Sequence, residues 1–134
     1  MPGSFIDTNV IVYLASADAE KADRAEKAIS EGGAISVQVL NEFVNVARRK
    51  MKLSWNDIHE FLSYLRELLD ARPVTVAVHE NGLRLAERYS LSTYDAMIVS
   101  AAIESNCDVL LSEDLQDGLL IENRLRVVNP FRKD

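Results

Sequence analysis

Four carboxylates stand beside strongly apolar stretches of the chain, and they are Asp7, Glu42, Asp95 and Asp114. A carboxylate against a hydrophobic core is costly unless something pairs with it. Clustered carboxylates are the preferred ligands of hard cations such as Mg²⁺, and bound cations neutralise phosphate charge and activate water. Our hypothesis is that the four acids converge on Mg²⁺ or Mn²⁺ and that the site hydrolyses phosphodiester bonds in RNA.

The placement of these acids along the chain supports a shared site. Asp7 and Asp114 follow short apolar runs typical of parallel strands, and ligands bind at strand carboxyl ends in open α/β sheets. Asp95 heads a helix that is apolar almost all round, and Glu42 lies on an amphipathic helix. In a doubly wound sheet, these strand ends and first helical turns can face one crevice.

Each acid alone also has a structural interpretation. Asp7 could cap the helix that follows it, and Asp95 completes a capping box that begins at Ser92. Glu42 could be a partly exposed helix residue, and Asp114 could belong to a turn. Both interpretations stay open for every acid taken singly, and only their joint placement favours a site.

The composition indicates one globular domain covering residues 1–134. No apolar run reaches the roughly 20 residues of a membrane span, and the N-terminus lacks a signal-peptide pattern. We therefore expect a soluble, cytoplasmic protein. Its 15 Lys and Arg against 21 Asp and Glu give a net charge of −6, and omitting the four acids gives −2. Non-specific coating of nucleic acid is disfavoured, whereas a nuclease is compatible with this charge.

Cys107 is the only cysteine, so no intramolecular disulfide can form, and we predict a packed core residue. The chain has two histidines without metal-binding spacing. A zinc enzyme is therefore disfavoured relative to an oxygen-ligated ion.

Hydrophobic patterning predicts alternating strands and helices. Strands are predicted at residues 4–7, 34–37, 74–78, 109–112 and 125–128. Helices are predicted at residues 10–14, 18–31, 54–69, 79–89 and 92–103, with a further helix from residue 38 into the cationic run at 48–52. Right-handed crossovers would cover both faces of a parallel sheet. The predicted fold is an α/β class, three-layer α/β/α sandwich.

Nearly the whole chain resembles the PIN-domain family, and within it the VapC-type toxins of toxin–antitoxin systems. The resemblance lies in FIDTNVIVY, SVQVLNEFVNVARRK, YSLSTYDAMIVSAAIESNCDVLLSEDLQDG and RVVNPF. It implies that Asp7, Glu42, Asp95 and Asp114 form the metal site. It also implies supporting roles for Asn9 and Ser112, and for Asp117 as an outer acid.

Partners follow from the same resemblance. It implies a homodimer, inhibited by a small VapB-like antitoxin that inserts near the catalytic crevice. We also predict that a cationic run guides the RNA backbone, formed by Arg48, Arg49, Lys50 and Lys52. Cations in a last helical turn are favourable in any case.

Two alternatives belong to other functional classes. One is a PIN scaffold that binds RNA or an antitoxin without cutting. The other is a phosphatase of the haloacid dehalogenase type, which needs a second acid where this chain has Asn9.

Overall fold

The computed structural model describes residues 3–132 and contains a six-stranded sheet. Its strands are β1 (Ser4–Ile6), β2 (Ala34–Ser36), β3 (Asp70–Arg72), β4 (Val109–Leu111), β5 (Leu120–Ile121) and β6 (Leu125–Val128). Their order across the sheet is β3-β2-β1-β4-β6-β5. All neighbouring pairs are parallel except β5 and β6, which are antiparallel.

The described residues also form helices α1 (Thr8–Leu14), α2 (Ala19–Ile29), α3 (Val37–Arg49), α4 (Trp55–Leu68), α5 (Val76–Tyr89) and α6 (Thr93–Glu104). Each helix begins after an Asp, Ser or Thr whose side chain accepts a hydrogen bond from a backbone amide of the first turn. Such caps satisfy amides that have no partner inside the helix. The helix starts are therefore encoded locally.

The order of strands explains the layering of the helices. The chain moves from β1 to β2 and β3 on one side, then crosses back to β4 on the other. With right-handed crossovers, α1 to α4 cover one face and α5 and α6 cover the opposite face. In α6 every residue from Ala96 to Ala102 is buried. The predicted three-layer arrangement is confirmed.

The predicted strand at residues 74–78 is wrong. Thr75 caps α5 by accepting a hydrogen bond from the Val78 amide at 3.1 Å, so this apolar stretch begins a helix. The third strand is Asp70–Arg72 instead, an edge strand whose two outer residues are charged and exposed. Edge strands of this kind carry no apolar signal. The two-residue β5 was also not predicted.

Cys107 is buried, with 7% of its surface exposed, which agrees with the predicted core role. Within residues 3–132, no helix combines the length and apolar character that a membrane span requires.

Candidate active site

The ends of β1 and β4 form the centre of the candidate site. These strands are adjacent and parallel, with Ile6 opposite Leu111, so Asp7 and Ser112 leave the sheet at the same edge. From β1 the chain adds β2 and β3 on one side of the sheet, and it then adds β4 on the other side of β1. Such a switch point opens a crevice at the carboxyl ends of the strands, where α/β proteins bind ligands.

Asp7 is almost completely buried, with 3% of its surface exposed. It accepts hydrogen bonds from the Thr8 amide at 2.7 Å and from the Ser112 hydroxyl at 2.7 Å. Burial raises the pKa of its carboxyl from 3.8 to about 6, although both hydrogen bonds oppose the rise. Asp7 thus caps α1, as the structural interpretation predicts. Its burial also makes ionisation of the carboxyl unfavourable.

Asn9 connects Asp7 with Asp114. Its side-chain Nδ2 donates to Asp7 Oδ2 at 3.2 Å and to Asp114 Oδ2 at 3.1 Å. Its Oδ1 accepts from the Glu113 amide at 3.1 Å. The Ser112 hydroxyl also accepts from the Asp114 amide at 3.2 Å. The structure therefore brings Asn9 and Ser112 into contact with the acids that they were predicted to support.

Glu42 is held by two side chains that sequence reasoning missed. The Thr8 hydroxyl donates to Glu42 Oε1, and Gln38 Nε2 donates to Glu42 Oε2 at 3.2 Å. Gln38 Nε2 also donates to the Tyr94 carbonyl at 3.2 Å, at the start of α6. Two signals were available, since Thr8 lies between Asp7 and Asn9, and Gln38 precedes Glu42 by one helical turn.

Asp95 lies in the first turn of α6, beside its capping residue. Ser92 Oγ accepts from the Asp95 amide at 3.2 Å. The reciprocal bond of a capping box, from the Ser92 amide to the Asp95 carboxylate, is absent among residues 3–132. Burial raises the pKa of Asp95, the Ser92 hydroxyl lowers it, and Asp114 and Glu42 raise it further. The cap observed at this helix start is the bond from the Asp95 amide to the Ser92 hydroxyl.

The four carboxylates are close enough for their charges to repel one another. The charges of Asp114 and Asp95 both raise the pKa of Asp7, while Asp114 and Glu42 act in the same direction on Asp95. Within the described range 3–132, however, no three Asp, Glu, His or Cys side chains form an arrangement that could hold a metal ion as they stand. Asp7 and Glu42 are instead directed at their hydrogen-bond donors. The oxygen donors suit a hard cation, and the repulsion would be relieved by one.

The description of the family model that matches this chain is "PIN domain", and the match spans residues 4–116. The chain belongs to the PIN domain family. Comparison with curated proteins found no match.

Solved structures of toxin–antitoxin systems share the fold of this PIN domain. A toxin–antitoxin complex from Klebsiella pneumoniae is 21% identical, covers 98% of this chain and 100% of its own, and has a TM-score of 0.75. Mycobacterium tuberculosis VapC20, described as a sarcin-ricin loop cleaving toxin, is 17% identical over 84% of this chain and 90% of its own, with a TM-score of 0.67. VapBC2 from Rickettsia felis, bound to a promoter DNA fragment, is 22% identical over 92% and 96%, with a TM-score of 0.65.

Asp117 of this PIN domain contacts the segment that follows β6. Its Oδ1 accepts from the Asn129 amide at 2.8 Å, and its Oδ2 pairs with Arg132 at 2.6 Å. The bond from the Asn129 amide is the larger cause of the lowered pKa of Asp117, and the Arg132 contact is the second. These contacts anchor residues 129–132, and the outer-acid role of Asp117 stays a prediction.

The loop that carries Asp114 is anchored by a cluster that sequence reasoning also missed. Glu113 accepts from the Tyr13 hydroxyl at 2.8 Å and pairs with Lys21 at 2.7 Å, and the Lys21 ammonium lies 4.3 Å from the centre of the Tyr13 ring. The Lys21 contact is the main cause of the lowered pKa of Glu113. Helices α1 and α2 thereby fix the loop after β4.

The cationic run lies at the end of α3 that is remote from β2. Arg48 is six residues beyond Glu42, or about 9 Å along the helix axis. Its guanidinium lies 4.5 Å from the centre of the Trp55 ring and donates to the Leu53 carbonyl at 3.0 Å. Arg49, Lys50 and Lys52 are exposed. The structure does not bring this run into the acidic cluster.

Proposed function

We propose that this PIN domain is a metal-dependent endoribonuclease, the toxin of a VapBC-type pair. One observation carries the proposal most directly. Asp7 is a buried carboxylate at the switch point of the sheet, and its pKa is raised to about 6 in the presence of neighbouring acids. A purely structural group would not need to be acidic there, whereas a cation-binding group would.

We give the four acids distinct roles, which the hydrogen bonds they accept support. Asp7, Asp95 and Asp114 would hold Mg²⁺ or Mn²⁺, while Glu42, kept in place by Thr8 and Gln38, would orient the attacking water. A bound divalent ion would supply charge neutralisation at the phosphate and a more acidic water. Ser112 and Asn9 would keep Asp7 and Asp114 at their separation.

An antitoxin partner is supported by the structural neighbours, among which are complexes of toxins with antitoxins. The homodimer and the cytoplasmic location belong to the same proposal. Family membership argues against the haloacid dehalogenase alternative, and Asn9 donates to two acids where that enzyme class has an acid. The non-cutting PIN scaffold is the remaining alternative.

Two aspartates in equivalent helical positions provide a matched test. Asp57 and Asp95 each lie three residues after a serine cap, and each amide donates to that serine. Asp95→Asn should reduce Mg²⁺-dependent RNA cleavage by at least about 10³-fold, since a group central to the reaction is lost. Asp57→Asn should cleave as the wild type does.

Cleavage would be followed on total RNA from brief expression, with fragment ends sequenced, and folding would be checked by circular dichroism. Equal cleavage by the Asp95→Asn variant and the wild type would contradict the assigned site. Absence of cleavage by the wild type, with intact RNA or antitoxin binding, would establish the binding module.

A further inference from the structure

A cavity of about 640 Å³ adjoins the acidic cluster on the side of α3 and α6. Glu42 lines this cavity and also belongs to the cluster. The other lining residues are Val37, Gln38, Asn41, Asn45, Pro73, Val74 and Tyr94. Small-ligand sites have volumes of roughly 300–1,000 Å³, and this cavity falls within that range. Its size therefore suits a nucleoside.

The lining is chemically selective. Among residues 3–132, those that line the cavity include no Lys, Arg or His, so a phosphate would find no cation there. They instead include one aromatic ring, three side-chain amides and an aliphatic wall. Unpaired RNA bases are recognised by stacking on aromatic rings and by hydrogen bonds to their edges. This chemistry favours a neutral base over the charged backbone.

Tyr94 is well placed to be the stacking surface. The residue is 70% exposed although it neighbours the buried body of α6. Its carbonyl is fixed by Gln38, the same side chain that holds Glu42. Tyr94 directly precedes Asp95 in the chain. A base stacked on Tyr94 would therefore lie close to Glu42.

A stripe of exposed polar residues on α3 leads from the cavity toward the cationic run. Asn41, Asn45 and Arg49 follow at intervals of four residues on α3, so they lie on one stripe of the helix. All three are exposed. A strand whose base occupies the cavity could follow this stripe and meet Arg49 one turn beyond Asn45.

From these contacts we infer that the cavity binds one unpaired nucleobase of the RNA, next to the bond that is cut, by stacking on Tyr94 and by hydrogen bonds from Asn41 and Asn45. This inference rests on the proposed function and adds how the RNA would be held beside the bond that is cut. Tyr94 would be a specificity-determining residue.

The test uses fluorescein-labelled oligoribonucleotides of ten A, ten C or ten U residues, with Ca²⁺ in place of Mg²⁺. Binding is measured by fluorescence anisotropy, and cleavage with Mg²⁺ is measured separately. Tyr94→Ala should raise Kd about tenfold for every oligomer, because stacking is tolerant of base identity. Tyr94→Phe keeps the ring and should bind within about twofold of the wild type.

A double variant tests the hydrogen bonds to the edge of the base, and a tyrosine variant outside the cavity is the control. Replacing both Asn41 and Asn45 by alanine should reduce the difference in Kd among the three oligomers more than it changes their mean. Tyr64→Ala is the matched control, since Tyr64 is exposed on α4 and does not line the cavity. It should bind as the wild type does.

Equal Kd values for Tyr94→Ala and the wild type would overturn the inference. So would a Tyr94→Ala protein that binds RNA normally but has altered self-association in sedimentation, because a second copy would then cover the cavity. If the wild type binds RNA but does not cut it, the proposed nuclease fails while the Kd comparison still decides the base site. If the wild type neither binds nor cuts RNA, both are overturned.

Discussion

Asn9 joins the carboxylates of Asp7 and Asp114 through a single amide nitrogen, at 3.2 Å and 3.1 Å. One acid is buried and the other is exposed on the loop after β4. Two carboxylates that share a donor are held together despite their repulsion. Asn9 is accordingly a positioning residue of the site.

Asn9→Ala should lower the apparent affinity for Mg²⁺ in the cleavage reaction. Outer partners of metal ligands typically contribute 10- to 100-fold in metal affinity or activity, so the Mg²⁺ concentration at half-maximal cleavage should rise by about that factor. A Mg²⁺ titration of the cleavage rate measures this. Asn56→Ala, at an exposed position near the start of α4, is the control, and an unchanged titration for Asn9→Ala would remove its assigned role.

The raised pKa of Asp7 predicts how stability depends on pH without metal. Between about pH 4 and 6 the folded protein keeps a proton that the unfolded chain has lost, so the free energy of unfolding from this group falls as pH rises. A change from 3.8 to about 6 corresponds to about 3 kcal/mol. Asp7→Asn removes this term, so relative to the wild type it should gain stability from pH 4 to pH 7. Urea unfolding in EDTA at both pH values measures the difference, and parallel pH profiles would contradict the pKa assignment.

Divalent cations should stabilise the folded protein at neutral pH. A ligand that binds only the folded state at 100 times its Kd adds about 2.7 kcal/mol, and Asp7 must be ionised to contribute. Mg²⁺ should therefore raise the melting temperature at pH 7.5, more weakly at pH 5, and EDTA should reverse the effect. Scanning calorimetry of the wild type and Asp95→Asn tests this, with a smaller rise expected for the variant. Identical rises would place the cation elsewhere.

Gly33 and Gly118 differ in the space that a Cβ atom would find. Both have positive φ, at +141° and +86°, but a Cβ on Gly33 would lie 2.7 Å from the Ser4 carbonyl oxygen, whereas a Cβ on Gly118 would meet no heavy atom within 4 Å. Gly118→Ala should cost about 1 kcal/mol of strain. Gly33→Ala should cost more, by about 1 kcal/mol or above, because the β1 backbone must also move. Chemical unfolding of both variants measures this, and equal losses would contradict the steric term.

The parts of the fold that follow local rules could be predicted from the sequence. Ser54 and Ser92 mark helix starts because capping is a local interaction, and the apolar run at β4 is a core strand. The strand Asp70–Arg72 could not be predicted, since its pairing with β2 is long-range and its outer side chains are charged.

The candidate site divides in a similar way. The four acids were predicted by type and placement, and Asn9 and Ser112 were predicted by resemblance. The roles of Thr8, Gln38 and Asp117 depend on contacts between distant segments, so only the tertiary structure could assign them.

In the proposed nuclease, Gln38 would link the choice of substrate to catalysis. Its amide nitrogen reaches both the Glu42 carboxylate and the main chain of Tyr94. A substitution at this position would disturb base preference and turnover together, so selection for a new RNA target would have to spare Gln38 and act on Asn41 and Asn45 instead.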